Sequence, residues 1–159
     1  MRFGTRTDPG RRWSPQGVKL VGEQYIGYDY GYLSVAVNPL TGQMKVLILP
    51  NMQASSFQVF LDEFSRELTA STSLITDGAT AHRSGSLRIS EQVELEILPA
   101  YSPQLNPVER FFEELRKQLK NRIFTVYEEV EKAVIEIVQP YLQATEVIKS
   151  LTCFSWLLN

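Results

Sequence analysis

Two acidic residues occupy positions where the chain is held stiffly enough to aim a side chain. Glu109 lies just inside a helix start prepared by Asn106 and Pro107. Asparagine is a favoured N-cap, and proline at the first helical position sacrifices no hydrogen bond. Asp77 follows the short apolar run Leu74-Ile75-Thr76, which reads as a buried strand. In open α/β sheets ligand chemistry gathers at the C-terminal ends of strands. If the two carboxylates converge, they offer the hard oxygen ligands that Mg²⁺ or Mn²⁺ requires. Glu109 also admits a purely structural reading, a capping box in which its side chain returns to the backbone N–H of the cap residue. His82, five residues after Asp77, belongs either beside that centre, near a metal or a phosphate, or in a turn that it stabilises.

The elements that must position these groups follow from periodicity. Residues 2–5 read as a strand remnant within a loop-rich segment, residues 1–22. Residues 24–37 and 43–49 carry β-branched and aromatic side chains around Asn38-Pro39-Leu40-Thr41-Gly42 and predict a hairpin. Ser55 and Gln58 form a capping pattern for a helix whose Phe57, Phe60, Leu61, Phe64 and Leu68 recur at helical spacing. A strand over 74–76, a helix over 84–92 and a strand over 93–97 come next. Val108, Phe111, Phe112, Leu115 and Leu119 define an amphipathic helix over 106–122. A last helix opens on a Thr125/Glu128 capping box and is limited by Pro140, and Trp156, Leu157 and Leu158 form a docking tail. This order predicts an α/β fold, a mixed sheet of about five strands with helices on both faces.

Composition narrows the function classes. A chain of 159 residues with 43% hydrophobic residues suits one ordinary domain. The lone Cys153 excludes an internal disulfide or thiolate cluster, and a single histidine cannot build a zinc site. Neither a membrane-length apolar run nor a signal core is present in the sequence, so a cytoplasmic location is expected. A net charge of −2 argues against a free-standing high-affinity DNA binder. The charge is uneven, however. Arg2, Arg6, Arg11, Arg12 and Lys19 face only Asp8 in the first nineteen residues, and Arg116, Lys117, Lys120 and Arg122 follow Glu109. Arg11, Arg12, Arg116, Lys117 and Lys120 are the candidates for tracking a DNA backbone, with a merely solvated surface as the alternative.

The stretch Leu98-Pro99-Ala100-Tyr101-Ser102-Pro103-Gln104-Leu105-Asn106-Pro107-Val108-Glu109, together with Asp77-Gly78-Ala79, resembles the catalytic core of bacterial insertion-sequence transposases related to mariner. These are DDE-superfamily proteins with a ribonuclease H-like fold. Met1-Arg2-Phe3-Gly4, Arg12-Trp13-Ser14-Pro15-Gln16-Gly17 and Asn38-Pro39-Leu40-Thr41-Gly42 add to the resemblance, which runs over nearly the whole chain. It implies a central first strand, antiparallel to the second and parallel to the fourth and fifth. It also implies that Asp77 and Glu109 are the second and third acids of a metal site holding two Mg²⁺ ions, with Asn106 and His82 in supporting positions. The family's first acid belongs in an Asp-Glu pair just before the segment matched by Met1-Arg2-Phe3-Gly4, so the first strand is expected to be truncated. Asp8 reads as a turn residue, and Asp29 lies on a strand whose facing the sequence leaves open.

On this resemblance residues 1–159 form one DDE transposase catalytic domain, with strand remnant and loop over 1–22, core over 23–124 and C-terminal helix and tail over 125–159. Its reaction would be metal-dependent phosphodiester cleavage and strand transfer, and its partners transposon ends, target DNA, and a second copy or an intact transposase. Lacking the first acid, the chain is expected to be inactive alone. A different class of reading is a non-catalytic module that binds nucleic acid or transposase and regulates transposition. A phosphoacceptor signalling domain fits least, because the early acidic pair and the late lysine it needs are missing.

Overall fold

The computed structural model describes residues 1–158. Its strands are β1 (Arg2–Gly4), β2 (Tyr30–Val37), β3 (Met44–Leu49), β4 (Thr72–Thr76) and β5 (Val93–Ile97). Its helices are α1 (Ala54–Ser65), α2 (Val108–Leu119), α3 (Tyr127–Val138) and α4 (Thr145–Thr152). β1 runs antiparallel to β2 with Phe3 opposite Gly31, and β2 antiparallel to β3 with Val35 opposite Val46. β4 and β5 are parallel, Leu74 opposite Leu95. The strands thus form a three-stranded section and a two-stranded section. The main chain of Met1 continues the first ladder: Leu33 N–H donates to Met1 O at 2.8 Å, and the Met1 amino group donates to Leu33 O at 2.6 Å. The parallel pairing of the first strand with the fourth, implied by the resemblance, is not made among the described residues; the three residues of β1 pair with β2 alone.

Side chains of β2 divide by parity, as a strand covered on both faces requires. Leu33, Val35 and Val37 join a cluster with Phe3, Phe111, Leu115, Val134 and Ile148, so α2, α3 and α4 cover that face. Tyr32 and Ala36 join Leu49, Phe57, Phe60, Leu61, Leu74 and Val93, which places α1 on the other face and ties β3 to the β4–β5 section. A mixed α/β fold with five strands and helices on both faces results, the ribonuclease H-like arrangement.

The hairpin closes at the expected turn, but its first strand begins at Tyr30 rather than at residue 24. Gly42 adopts a φ of +75° at its turn and donates to Asn38 O, and an added Cβ would collide with the main chain of Thr145. Three local expectations change. The start of α1 is fixed by Asn51 rather than Ser55: its Oδ1 accepts from Gln53 N–H at 3.0 Å and Ser56 Oγ at 2.8 Å, an Asx turn leading into the helix. Gln58 is thereby released to bind residue 88, donating to Arg88 O at 2.9 Å and accepting from Arg88 N–H at 2.7 Å. That bond, with the Ser84–Ser86 side-chain turn, engages backbone that a helix over 84–92 would need; only a 3₁₀ turn over Thr80–Arg83 forms. At α3 the partner of Thr125 is Glu129, not Glu128, since the helix begins at Tyr127 and places Glu129 third. α4, beyond Pro140, has no counterpart among the elements expected from periodicity. Trp156 in the tail is about half exposed beside Phe154, and the side chain of Leu158 lies outside the described part.

Phe111 and Leu115 are both 0% exposed, so α2 is anchored by complete burial of one stripe. Replacing Phe111 by Ala is expected to destabilise the fold by about 3–5 kcal/mol, measured by urea unfolding; a loss below about 1 kcal/mol would show that α2 is not so anchored.

Candidate functional site

Asp77 is the first residue after β4, whose end is prolonged by a bond from Leu98 N–H to Thr76 O at 2.8 Å. Its carboxylate is 61% exposed and turns onto the 3₁₀ segment that follows. Oδ1 accepts from Ala79 N–H at 3.1 Å and lies 2.7 Å from His82 Nδ1. The imidazole is only 13% exposed and leans on Phe57 of α1, ring centroids 4.2 Å apart and tilted by 45°. His82 therefore joins α1 to the Asp77 turn. The hydrogen bond from His82 is the main cause that holds the Asp77 carboxyl below its ordinary value, with Ala79 N–H acting in the same direction and burial against it.

Glu109 enters from α2. Asn106 is extended, Pro107 already helical, and Asn106 Oδ1 accepts from Val108 N–H at 3.3 Å, which fixes the helix start. The amide of Asn106 itself donates to Pro103 O, so the capping box that would occupy Glu109 is not formed. Burial of Val108, Phe111, Phe112 and Leu115 sets the rotation of the helix. Arg116, two turns on, comes to the same side as Glu109 and stands 3.7 Å from its Oε2, with the glutamate side chain 36% exposed.

The observation that relates the two acids is a third group. The α-amino group of Met1 is pushed down to about 6 by burial, and both Glu109 and Asp77 act on it to raise its pKa, while Arg116 lowers it. Both carboxylates therefore lie within electrostatic reach of the Met1 amino group. No third member joins them: no group of three or more acidic, histidine or cysteine side chains is placed to hold a metal among the described residues. Asp8 and Asp29 are exposed on the β1–β2 connection, and their carbonyls accept from Asn121 N–H and Thr5 N–H. Glu113 pairs with Arg110.

Residues 1–131 match the family described as DDE superfamily endonuclease. The chain belongs to the DDE superfamily endonucleases. Uncharacterized protein y4pE/y4sA of Sinorhizobium fredii is 35% identical over 104 residues, 64% of this chain and 77% of that protein. Among solved structures, the Mos1 strand transfer complex superposes with a TM-score of 0.62 at 18% identity, over 94% of this chain and 50% of that one. The Mos1 mariner paired end complex with Mn gives 0.63, again at 18% identity, over 95% and 51%. This DDE superfamily endonuclease thus spans about half the length of the transposase chains it matches, and the likeness to them is one of fold.

The basic candidates separate. Arg11 and Arg12 lie in the exposed segment after β1, Lys117 pairs with Glu114 on the outer side of α2, and Lys120 closes that helix. Arg116 alone among them adjoins an acid of the site. The support that Phe57 gives His82 had no signal in the sequence, where Phe57 reads only as core.

A carboxyl whose pKa is lower in the folded than in the unfolded chain adds stability that is full above the unfolded value and fades as pH falls through the folded one. Wild type is therefore expected to exceed Asp77→Asn in urea-unfolding stability near pH 6, with the gap narrowing below about pH 4. A gap independent of pH would show that the His82 contact does not favour the ionised carboxylate.

Proposed function

We propose that this chain is catalytic-domain material of a mariner-related DDE transposase, whose complete form cuts a phosphodiester at the end of a mobile element and joins the freed 3′-hydroxyl to target DNA. The observation that carries the reading is that neither acid is consumed structurally. Asp77 Oδ2 and Glu109 Oε1 have no hydrogen-bond partner among the described residues, although Asp77 directly follows β4 and Glu109 sits in the first turn of α2.

Two carboxylates suit a hard cation such as Mg²⁺ or Mn²⁺. When bound, it would polarise a phosphoryl oxygen and favour an activated oxygen nucleophile. His82 keeps the Asp77 carboxylate in one orientation, and Asn106 fixes the helix that presents Glu109. With two acids the chain fits one cation rather than the pair, about 3.5–4 Å apart, that two-metal transfer employs. Little cleavage or strand transfer is the expected behaviour of these 159 residues alone.

DNA is the proposed partner, and a second copy or an intact transposase the proposed protein partner; two of the matched structures are described as paired-end complexes. No helix among the described residues is long and apolar enough to cross a membrane; a cytoplasmic location is part of the proposal. A non-catalytic module that regulates transposition is the second reading, favoured by the lack of a third acid.

Titration of the chain with Mn²⁺, followed by electron paramagnetic resonance of the free ion, separates the two. One weak site, lost in Asp77→Asn and equally in Glu109→Gln, is expected. Absence of a site that depends on either residue would favour the non-catalytic reading.

A further inference from the structure

A cavity of about 310 Å³ opens beside the start of β1, and four arginines from two separate stretches line it: Arg2 and Arg6 from one, Arg116 and Arg122 from the other. Asp8 is the one carboxylate in its wall. The floor is apolar, with Phe3, Phe124 and Val130 all buried, so the positive charge of the cavity is carried by the guanidiniums at its rim.

Four like charges around one hollow repel one another, and a fold tolerates this cheaply only if each is neutralised internally or meets an anion from outside. Internal neutralisation is sparse. Arg116 has the 3.7 Å contact with Glu109; Arg2, Arg6 and Arg122 form no ion pair among the described residues. Two are steadied by rings instead, Arg2 over Tyr30 at 4.6 Å and Arg122 over Phe124 at 5.1 Å. A guanidinium stacked on a ring face keeps its in-plane N–H donors available for a forked contact with phosphate oxygens.

We propose that this cavity is a backbone cradle for one DNA strand, holding more than one consecutive phosphate and leading the strand along Arg116 to Glu109. A single phosphodiester carries one negative charge, whereas Arg2, Arg6 and Arg122, beyond the Arg116–Glu109 contact, stand against one carboxylate, so charge balance calls for more than one phosphate. The shared position of Arg116, in the cavity wall and beside Glu109, sets the direction. The proposal rests on the reading of the chain as acting on phosphodiesters, and it assigns substrate contact to Arg2, Arg6 and Arg122 in place of Arg11 and Arg12, which lie outside the cavity wall.

The test is fluorescence anisotropy with a labelled single-stranded oligonucleotide and the same sequence as a duplex, in EDTA and across a salt series. Omitting metal keeps this outcome separate from that of the cation site: Mn²⁺ binding can fail while DNA binding persists, and the reverse. Arg6 and Arg122 are exposed, so the double variant Arg6→Gln/Arg122→Gln should fold, which circular dichroism verifies. It is expected to bind the single strand roughly tenfold more weakly, with the slope of log affinity on log salt reduced by about 0.7 for each phosphate that is no longer neutralised. Lys132→Gln/Lys149→Gln removes the same charge from α3 and α4, outside the cavity wall, and should leave both quantities nearly unchanged. Equal weakening in the two double variants, no weakening in the arginine variant, or competition by inorganic phosphate beyond its ionic strength would each overturn the cradle.

Discussion

Complete burial of one stripe of α2 is the constraint on which the rest of this structure depends. Val108, Phe111, Phe112 and Leu115 all enter the cluster between the β1–β2–β3 section and α3 and α4, and two of them have no exposed surface at all. A helix of 3.6 residues per turn that must bury those four positions has no rotational freedom left. Its remaining side chains go where geometry sends them, and Glu109 and Arg116, on the flank of that stripe, are carried to the start of β1. Asn106 sets the axial position by accepting from Val108 N–H. The same burial closes the face of the sheet against α3 and α4, so the stability of the core and the direction of Glu109 share one cause.

The opposite acid is fixed by a different kind of contact. Asp77 leaves β4 on a turn, and without support its exposed carboxylate would sample many orientations. His82 removes that freedom by bonding one oxygen while resting on Phe57, a residue of the second core cluster. Each acid is thus tied to one of the two hydrophobic clusters, and both act on the charge of the Met1 amino group.

Much of this was legible in the sequence because it rests on period and on turn chemistry. The alternation of Val93, Leu95 and Ile97 with Glu94 and Glu96 became β5, the aromatic stripe from Phe57 became α1, and the proline-stiffened entry at Asn106 became the start of α2. What was not legible depended on contacts between distant residues. Gln58 reads as half of a capping box, but Asn51 supplies the turn, and Gln58 instead holds residue 88 across 30 positions of sequence. The helix expected over 84–92 fails for that reason. The candidate site divides in the same way: Asp77 and Glu109 stood out by position, whereas the Phe57 support of His82 and the meeting of Arg2 and Arg6 with Arg116 and Arg122 arise only when β1 lies beside α2. The basic runs were visible as two clusters, and nothing in either predicted that they line one cavity.

The central claim is that Asp77 and Glu109 face a common divalent cation. Anomalous scattering from a crystal of the chain soaked in Mn²⁺ tests it most directly. The account predicts one manganese peak at bonding distance from a carboxylate oxygen of each residue. Manganese bound to only one of them, or at a place touching neither, would contradict it.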